Sequence, residues 1–157
     1  MKTAKGLMVG LVTSVKDKDG HGKVELTFPQ LPGRNRFWAS VAAPMAGKSR
    51  GFYFQPEVDD EVLVGFEDGN SEHPYIIGFL WNGKDTPPEA DPQKRVLVTP
   101  GGHQLRFEDN PGAKAIRIRT DGGIEISMDD SKQELSLACA GFRIGLSPAG
   151  VVISSGA

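Results

Sequence analysis

GFYFQPEVDDEVLVGFEDGNSEHPYIIGFLWN, residues Gly51 to Asn82, is the stretch whose reading decides the fold. It reads as two strands, Glu61 to Glu67 and Tyr75 to Trp81, joined by a polar turn. Val62, Val64 and Phe66 alternate with Glu61, Leu63, Gly65 and Glu67, and Ile76, Gly78 and Leu80 alternate with Ile77, Phe79 and Trp81. A period of two sends successive side chains to opposite faces of a sheet. Asp68-Gly69-Asn70 supplies the turn, because Gly and Asn tolerate positive φ, and Pro56 ahead of it disfavours a helix. Both faces carry apolar residues, so the hairpin is expected to be buried on one side and partly covered on the other.

Toward the N-terminus, an arm (Met1 to Gly6) precedes a first strand over Leu7–Lys16, in which Gly10 reads as a bulge or bend. The polar turn Asp17–Gly22 leads into Lys23–Phe28, which alternates and is expected to pair back on the first strand. Pro29–Gly33 breaks that strand and Arg36–Val41 forms the next. Together with the hairpin these make a five-stranded set with no helix, and closing such a sheet into a barrel removes its unpaired edges. A five-stranded OB-like barrel over residues 1–83 is the expected fold, with an SH3-like barrel the nearest alternative. Asn82–Lys94 carries Pro87, Pro88 and Pro92 and no aliphatic side chain larger than alanine, so residues 84–95 read as a stiff, solvated linker.

From residue 96 to 157 the pattern changes. Short alternating segments (Val96–Val98, Gln104–Phe107, Ala115–Arg119, Ile124–Met128, Glu134–Leu137, Phe142–Leu146, Val151–Ser154) are separated by turn residues. Ile116 and Ile124, Ile126 and Leu135, and Ile144 and Val152 occupy comparable positions in an imperfect strand-plus-turn repeat, the signature of a β-solenoid or β-helix. Lys132-Gln133 and Ala138–Ala140 interrupt it. One such chain would expose its edges and bury little. Three chains around one axis would let each strand find a partner on a neighbour and let inward Ile, Leu and Phe meet, each burial contributing roughly 1.5–3 kcal/mol. The expected shaft core is Ile116, Ile118, Ile124, Ile126, Leu135, Leu137, Phe142, Ile144 and Val152, in a homotrimer. Arg117, Arg119, Glu125, Asp129, Lys132, Glu134 and Arg143 read as outward charges.

Composition agrees with an all-β chain. The 157 residues include 20 Gly and 11 Pro, which favour turns and short strands. Eighteen basic against 20 acidic residues leave a net charge of −2, with no general pull toward nucleic acid or anionic lipid. The single cysteine, Cys139, excludes an intrachain disulfide and reads as a small buried hydrophobe. There is no apolar signal-peptide core and no apolar run of about 20 residues, so synthesis in the cytoplasm without a signal peptide is expected.

The order of motifs resembles the central spike proteins of contractile injection machines, the phage baseplate spikes and the valine-glycine-repeat spike of type VI secretion. The likeness runs from Phe37-Trp38 through Val41–Gly47, Gly51–Phe66, Gly69-Asn70 and His73–Asn82, and again over Thr99–Gly112. Trp38, Pro44, Gly47, Pro56, Glu57, Asp60, Glu61, Gly78 and Trp81 carry the barrel part; Asp59 stands where that family usually has glycine. The resemblance implies a trimeric OB-like barrel at the base of an intertwined β-helix shaft, and a non-catalytic role: capping an inner tube and puncturing a membrane mechanically within a phage tail-like particle. It implies a separate hub protein at the barrel end and tube-loaded effectors. It also implies a proline-alanine-alanine-arginine (PAAR-type) tip protein on Val151, Val152, Ile153, Ser154 and Ser155.

Candidate chemistry is sparse. His21, His73 and His103 lie in separate turns without metal-ligand spacing. Asp59-Asp60-Glu61 and Asp129-Asp130 are carboxylate pairs at strand boundaries, where turns favour acids. Gly20-His21-Gly22 and Gly101-Gly102 precede no helix and make poor phosphate cradles. No metal, cofactor or catalytic constellation is expected. The alternative function is single-stranded nucleic-acid binding by an OB barrel, with Phe28, Phe37, Trp38 and Tyr53 as a stacking platform; the acidic balance argues against it.

Overall fold

A computed structural model describes residues 6–31 and 36–155. Residues 1–5 of the expected arm, Pro32-Gly33 of the expected break and residues 156–157 lie outside the described residues. The chain divides into two compact units, Met1–Thr86 and Pro87–Ala157.

The first unit contains β1 (Met8–Ser14), β2 (Val24–Thr27), β3 (Arg36–Val41), the two-residue pair β4 (Ala46–Gly47) and β5 (Arg50–Gly51), β6 (Glu61–Phe66) and β7 (Pro74–Phe79). Five of these close a barrel in the order β1-β2-β3-β7-β6. Every pairing is antiparallel except β3 with β7, which is parallel (Ser40 opposite Tyr75, Val41 opposite Ile76). That crossover selects the OB arrangement over the SH3-like one. Val24 and Leu26 on β2, Val62 and Val64 on β6, and Val12, Ala39 and Ile76 on their own strands are essentially inaccessible to solvent, as period-two alternation requires. Phe28 plugs the interior, its ring 5.4 Å from Phe37 and 5.7 Å from Phe66. The stacking platform is therefore not formed: Phe28 and Phe37 are core residues, and only Trp38 and Tyr53 face outward.

Two local features differ from the sequence expectation, and a third bears on the Asp59 position. Gly10 is not a bulge. It pairs regularly with Val62, and the register shift falls between Val12 and Ser14. A Cβ at Gly10 would sit 3.2 Å from the Phe28 ring and 3.3 Å from Val64, so this glycine is needed for close packing. Gly10→Ala is expected to destabilise the barrel by about 1–3 kcal/mol through overpacking, read as a lower urea midpoint with an unchanged slope. The second feature lies in β7. Val64 faces Ile76 but Leu63 faces Gly78, leaving Ile77 as the extra residue of a β-bulge. The simple alternation of Ile76, Gly78 and Leu80 stops there, and Phe79 stands across from Val62. The third is the Glu57–Asp60 turn, where Asp59 has φ 77. This is the left-handed region that glycine enters freely, which accounts for glycine being usual at this motif position. The Asp60 carboxylate steadies the turn by accepting the Glu57 N–H at 2.8 Å.

Among the other motif residues, Pro56 is buried, Pro44 lies in the exposed loop before β4, and Trp81 is exposed just beyond β7.

The second unit is a sheet of seven strands: β8 (Lys94–Val98), β9 (Gln104–Glu108), β10 (Ala115–Arg119), β11 (Glu125–Asp129), β12 (Glu134–Cys139), β13 (Phe142–Ser147) and β14 (Gly150–Ser155). Each pairs antiparallel with its sequence neighbours. The expectation that every strand takes its partner from a neighbouring chain is thus corrected: within one chain the strands form a meander. The reason is turn chemistry. Gln133 (φ 50), Ala140 (φ 46) and Gly141 (φ 82) adopt left-handed conformations that close tight hairpins, and the two apparent interruptions of the repeat are these turns. The sheet also begins before residue 96. Arg106 Nη1 lies 2.6 Å from Glu89, Lys94 Nζ lies 3.5 Å from Asp91, and the Asp109 N–H donates to the Gln93 carbonyl at 3.0 Å. The distal half of the segment read as solvated linker is tied to the sheet.

Candidate functional site

The antiparallel register sorts the second unit's side chains into two unlike faces. On one, Leu105, Ile118, Ile126, Leu137, Ile144 and Ile153 stand opposite one another from strand to strand in a single row. A second row runs beside it through Phe107, Ile116, Met128, Leu135, Leu146 and Val151. Side chains this close across a ladder stabilise each other, but a one-layer sheet covers only their flanks. Ile118, Ile126, Leu137 and Ile144 remain 47, 39, 41 and 38% exposed. A continuous apolar face of this kind is the mark of an interaction surface.

Of the expected core residues, Ile116, Ile118, Ile126, Leu135, Leu137, Phe142 and Ile144 lie on this face. Two do not sit as expected. Val152 stands opposite Gly145, while its neighbour Ile153 faces Ile144, so Val152 belongs to the other side of the sheet. Ile124 lies outside the strands, one residue ahead of β11 at the end of the 121–123 turn, its N–H donating to the Thr120 hydroxyl at 3.1 Å. Equal spacing along the chain had grouped these residues, but an antiparallel ladder matches residues mirrored about each turn. That mirror rule would have found Leu105, Phe107, Met128, Leu146, Val151 and Ile153. Cys139 is exposed, not buried, across from Phe142 at the end of β12.

The opposite face is small and charged. Ala115, Ser127 and Ser136 are buried beneath long neighbours. Arg117 stands opposite Ser127, and the short serine lets its guanidinium reach diagonally to Glu108 and to Asp129, the latter at 3.9 Å. Arg143 pairs with Glu134, and Lys132 with Asp129 at 3.6 Å. Ion pairs this close to solvent contribute little stability; they keep the face wetted.

Several carboxylates here are held below their ordinary range. Glu89 is lowered first by the Asp91 N–H and then by Arg106. Asp91 is lowered by the Gln93 N–H and by Asn110, and Asp129 by the Ser131 hydroxyl and the Lys132 N–H. Because these folded-state values lie below the unfolded ones, the associated stability is complete above the ordinary values of 4.5 for Glu and 3.8 for Asp. It is lost as pH falls through the depressed values. Glu89→Gln is expected to flatten this acid limb. Unfolding midpoints of the variant and the parent from pH 6 downward would show it, and parallel curves would refute the assignment.

β14 is an edge strand. Among the described residues it pairs with β13 alone, and Val151, Val152 and Ile153 are 66, 62 and 76% exposed. Its apolar side chains therefore project from both faces. The histidines stay apart: His73 Nδ1 lies 3.0 Å from Glu67, and His103 Nδ1 accepts the Asp121 N–H at 3.3 Å. Among the described residues no group of three His, Cys, Asp or Glu side chains is placed to hold a metal.

An OB barrel followed by a meander with one uncovered apolar face defines a structural, self-associating β-protein. Comparison with known proteins gives the family. Residues 8–81 match the type VI secretion system/phage-baseplate injector OB domain, and residues 94–157 match the phage baseplate V C-terminal trimerisation domain. The chain belongs to this family of phage-baseplate and type VI secretion spike proteins. It is similar to the actin cross-linking toxin VgrG1 of Vibrio cholerae (33% identity over 68% of this chain and 11% of the relative). It is also similar to the type VI secretion system spike protein VgrG5 of Pseudomonas aeruginosa (33% over 64% of this chain and 14% of the relative) and to VgrG3 of Vibrio cholerae (32% over 64% and 11%). The chain thus spans only 11–14% of the length of these relatives.

Proposed function

We propose that this chain is the structural spike of a contractile injection machine: a homotrimer that caps the inner tube and punctures a target membrane mechanically when the sheath contracts. Residues 1–83 form the base, 84–93 the connection and 94–157, from the start of β8, the shaft. In the shaft Ile116, Ile118, Ile126, Leu135, Leu137, Phe142 and Ile144 meet their counterparts, with Val151 and Ile153 replacing Val152. A separate hub protein engages the barrel end, and a PAAR-type tip protein engages Val151–Ser155. Effectors loaded in the tube travel with it. The role is non-catalytic and its place is a phage tail-like particle or secretion apparatus.

The observation that carries this reading is the double row of half-exposed Ile, Leu and Met side chains in a segment that matches a trimerisation domain. Apolar area covered by a second and third copy contributes roughly 25 cal/mol per Å². The opposite face, wetted by paired charges, suits a rod that crosses a bilayer without sticking to it. Mass measurement of the whole chain in solution tests the proposal: a trimer supports it, and a stable folded monomer sinks it. The nucleic-acid alternative has an observation against it. The aromatic residues Phe54, Phe79 and Trp81 share their surface with Asp60, Glu61 and Asp85, which would repel phosphates.

A further inference from the structure

The barrel displays two surfaces that lack partners among the described residues. One is a cleft of about 310 Å³ lined by Phe54, Phe79, Trp81, Asp60, Glu61 and Asp85. The β7 bulge delivers Phe79 to it. Phe54 and Phe79 are each 53% exposed and Trp81 is 64% exposed. The Asp60 carboxylate accepts the Glu57 N–H, and the Asp85 carboxylate accepts the Asn82 side-chain amide at 3.0 Å. These bonds hold the groups in place without neutralising them. Among the described residues no lysine or arginine pairs with any of the three carboxylates.

The other surface is the β4–β5 hairpin. Its tip, Lys48-Ser49-Arg50, is exposed, and neither cation has a carboxylate partner among the described residues. The hairpin is preset. Ser49 takes φ 55 at the tip, and the Phe52 N–H donates to the Met45 carbonyl at 2.9 Å. Gly51 lets the strands close, since a Cβ there would lie 2.8 Å from the Met45 carbonyl oxygen.

We propose that in the trimer the Lys48–Arg50 hairpin of each barrel enters the Phe54–Phe79–Trp81 cleft of the next copy, closing a ring of three base domains. This rests on the homotrimer proposed above. A three-fold ring uses a head-to-tail contact, which requires two different and complementary surfaces on every chain. Here one is cationic and the other carries three carboxylates. Aromatic faces beside carboxylates suit a guanidinium, which stacks and pairs at once. A shared trimerisation segment raises the effective concentration of neighbouring barrels to roughly the millimolar range, so a contact too weak to join free barrels can still form.

The test uses the full chain with Cys139→Ser, Lys48→Cys and Asp85→Cys, oxidised and run on a non-reducing gel, beside its mass in solution. The expected result is a covalent trimer, absent from either single-cysteine variant. A second arm reads charge: Arg50→Glu lowers the yield of cross-linked trimer by about tenfold, and adding Glu61→Arg restores it. A trimer in solution that forms no inter-chain cross-link, or only an intrachain one, overturns the ring contact and leaves the cleft to a basic loop of a different protein. A monomer in solution overturns the homotrimer itself.

Discussion

Ile126→Asp combined with Leu137→Asp converts the trimer to separate chains. The two residues face each other across β11 and β12, midway along the first row of the apolar face. Each keeps about two fifths of its surface exposed in the single chain, and that remaining surface is what neighbouring copies would cover. A carboxylate carried into such a contact costs several kcal/mol per ion after relaxation, and two on each of three chains exceed what the remaining rows return. The strands themselves tolerate the change, because their ladder bonds are internal to the chain. The expected outcome is a monomeric mass with retained β-sheet signal. Arg119→Ala, on the opposite face, leaves the mass unchanged. A double-aspartate variant that still sediments as a trimer would show that this face is not the contact.

Phe28→Ala is the most damaging single change expected in the barrel. The side chain is fully buried, with Phe37 and Phe66 against its ring. Truncating a buried phenylalanine costs about 3–5 kcal/mol, because the lost contacts and the cavity add. Domain stabilities are about 5–15 kcal/mol, so the loss is a large fraction of the whole. Chemical denaturation followed by tryptophan emission should show a much lower midpoint for the barrel. Tyr53→Ala, at a residue that is 79% exposed, should leave that midpoint in place. Equal effects from the two variants would mean that Phe28 is not the plug of the core.

The barrel was the most legible part of the chain. Its strands alternate cleanly, and alternation is a local property that any single strand displays. Val62 and Val64 fell on one face of the alternation in Glu61–Trp81, although apolar residues on both faces left open which face points inward. What escaped were features requiring two segments at once. Gly10 looks like a bend in its own strand, and only the approach of Phe28 and Val64 shows it to be a packing site. Ile77 looks like an ordinary alternating residue, and only its pairing with β6 shows the bulge. The sheet of the second unit was legible as strands and turns but not as faces. Val152 and Ile153 are both apolar neighbours, and nothing local says which one meets Ile144. The Lys48–Arg50 hairpin and the aromatic cleft carried no sequence signal as a pair, since each is unremarkable alone.

By itself the sequence determined that this protein is all-β, that a closed barrel precedes a run of short strands separated by turns, and that it shares the motif order of the injector spikes. Those properties follow from periodicity, turn residues and local motifs, each contained within a few adjacent positions. Only the tertiary structure decided that β3 runs parallel to β7, that β8 to β14 pair within one chain, and that Ile153 rather than Val152 joins the apolar rows. The physical reason is register. In a sheet a shift of one residue moves a whole strand's side chains to the other face, and register is set by how far each turn carries the chain before it pairs again.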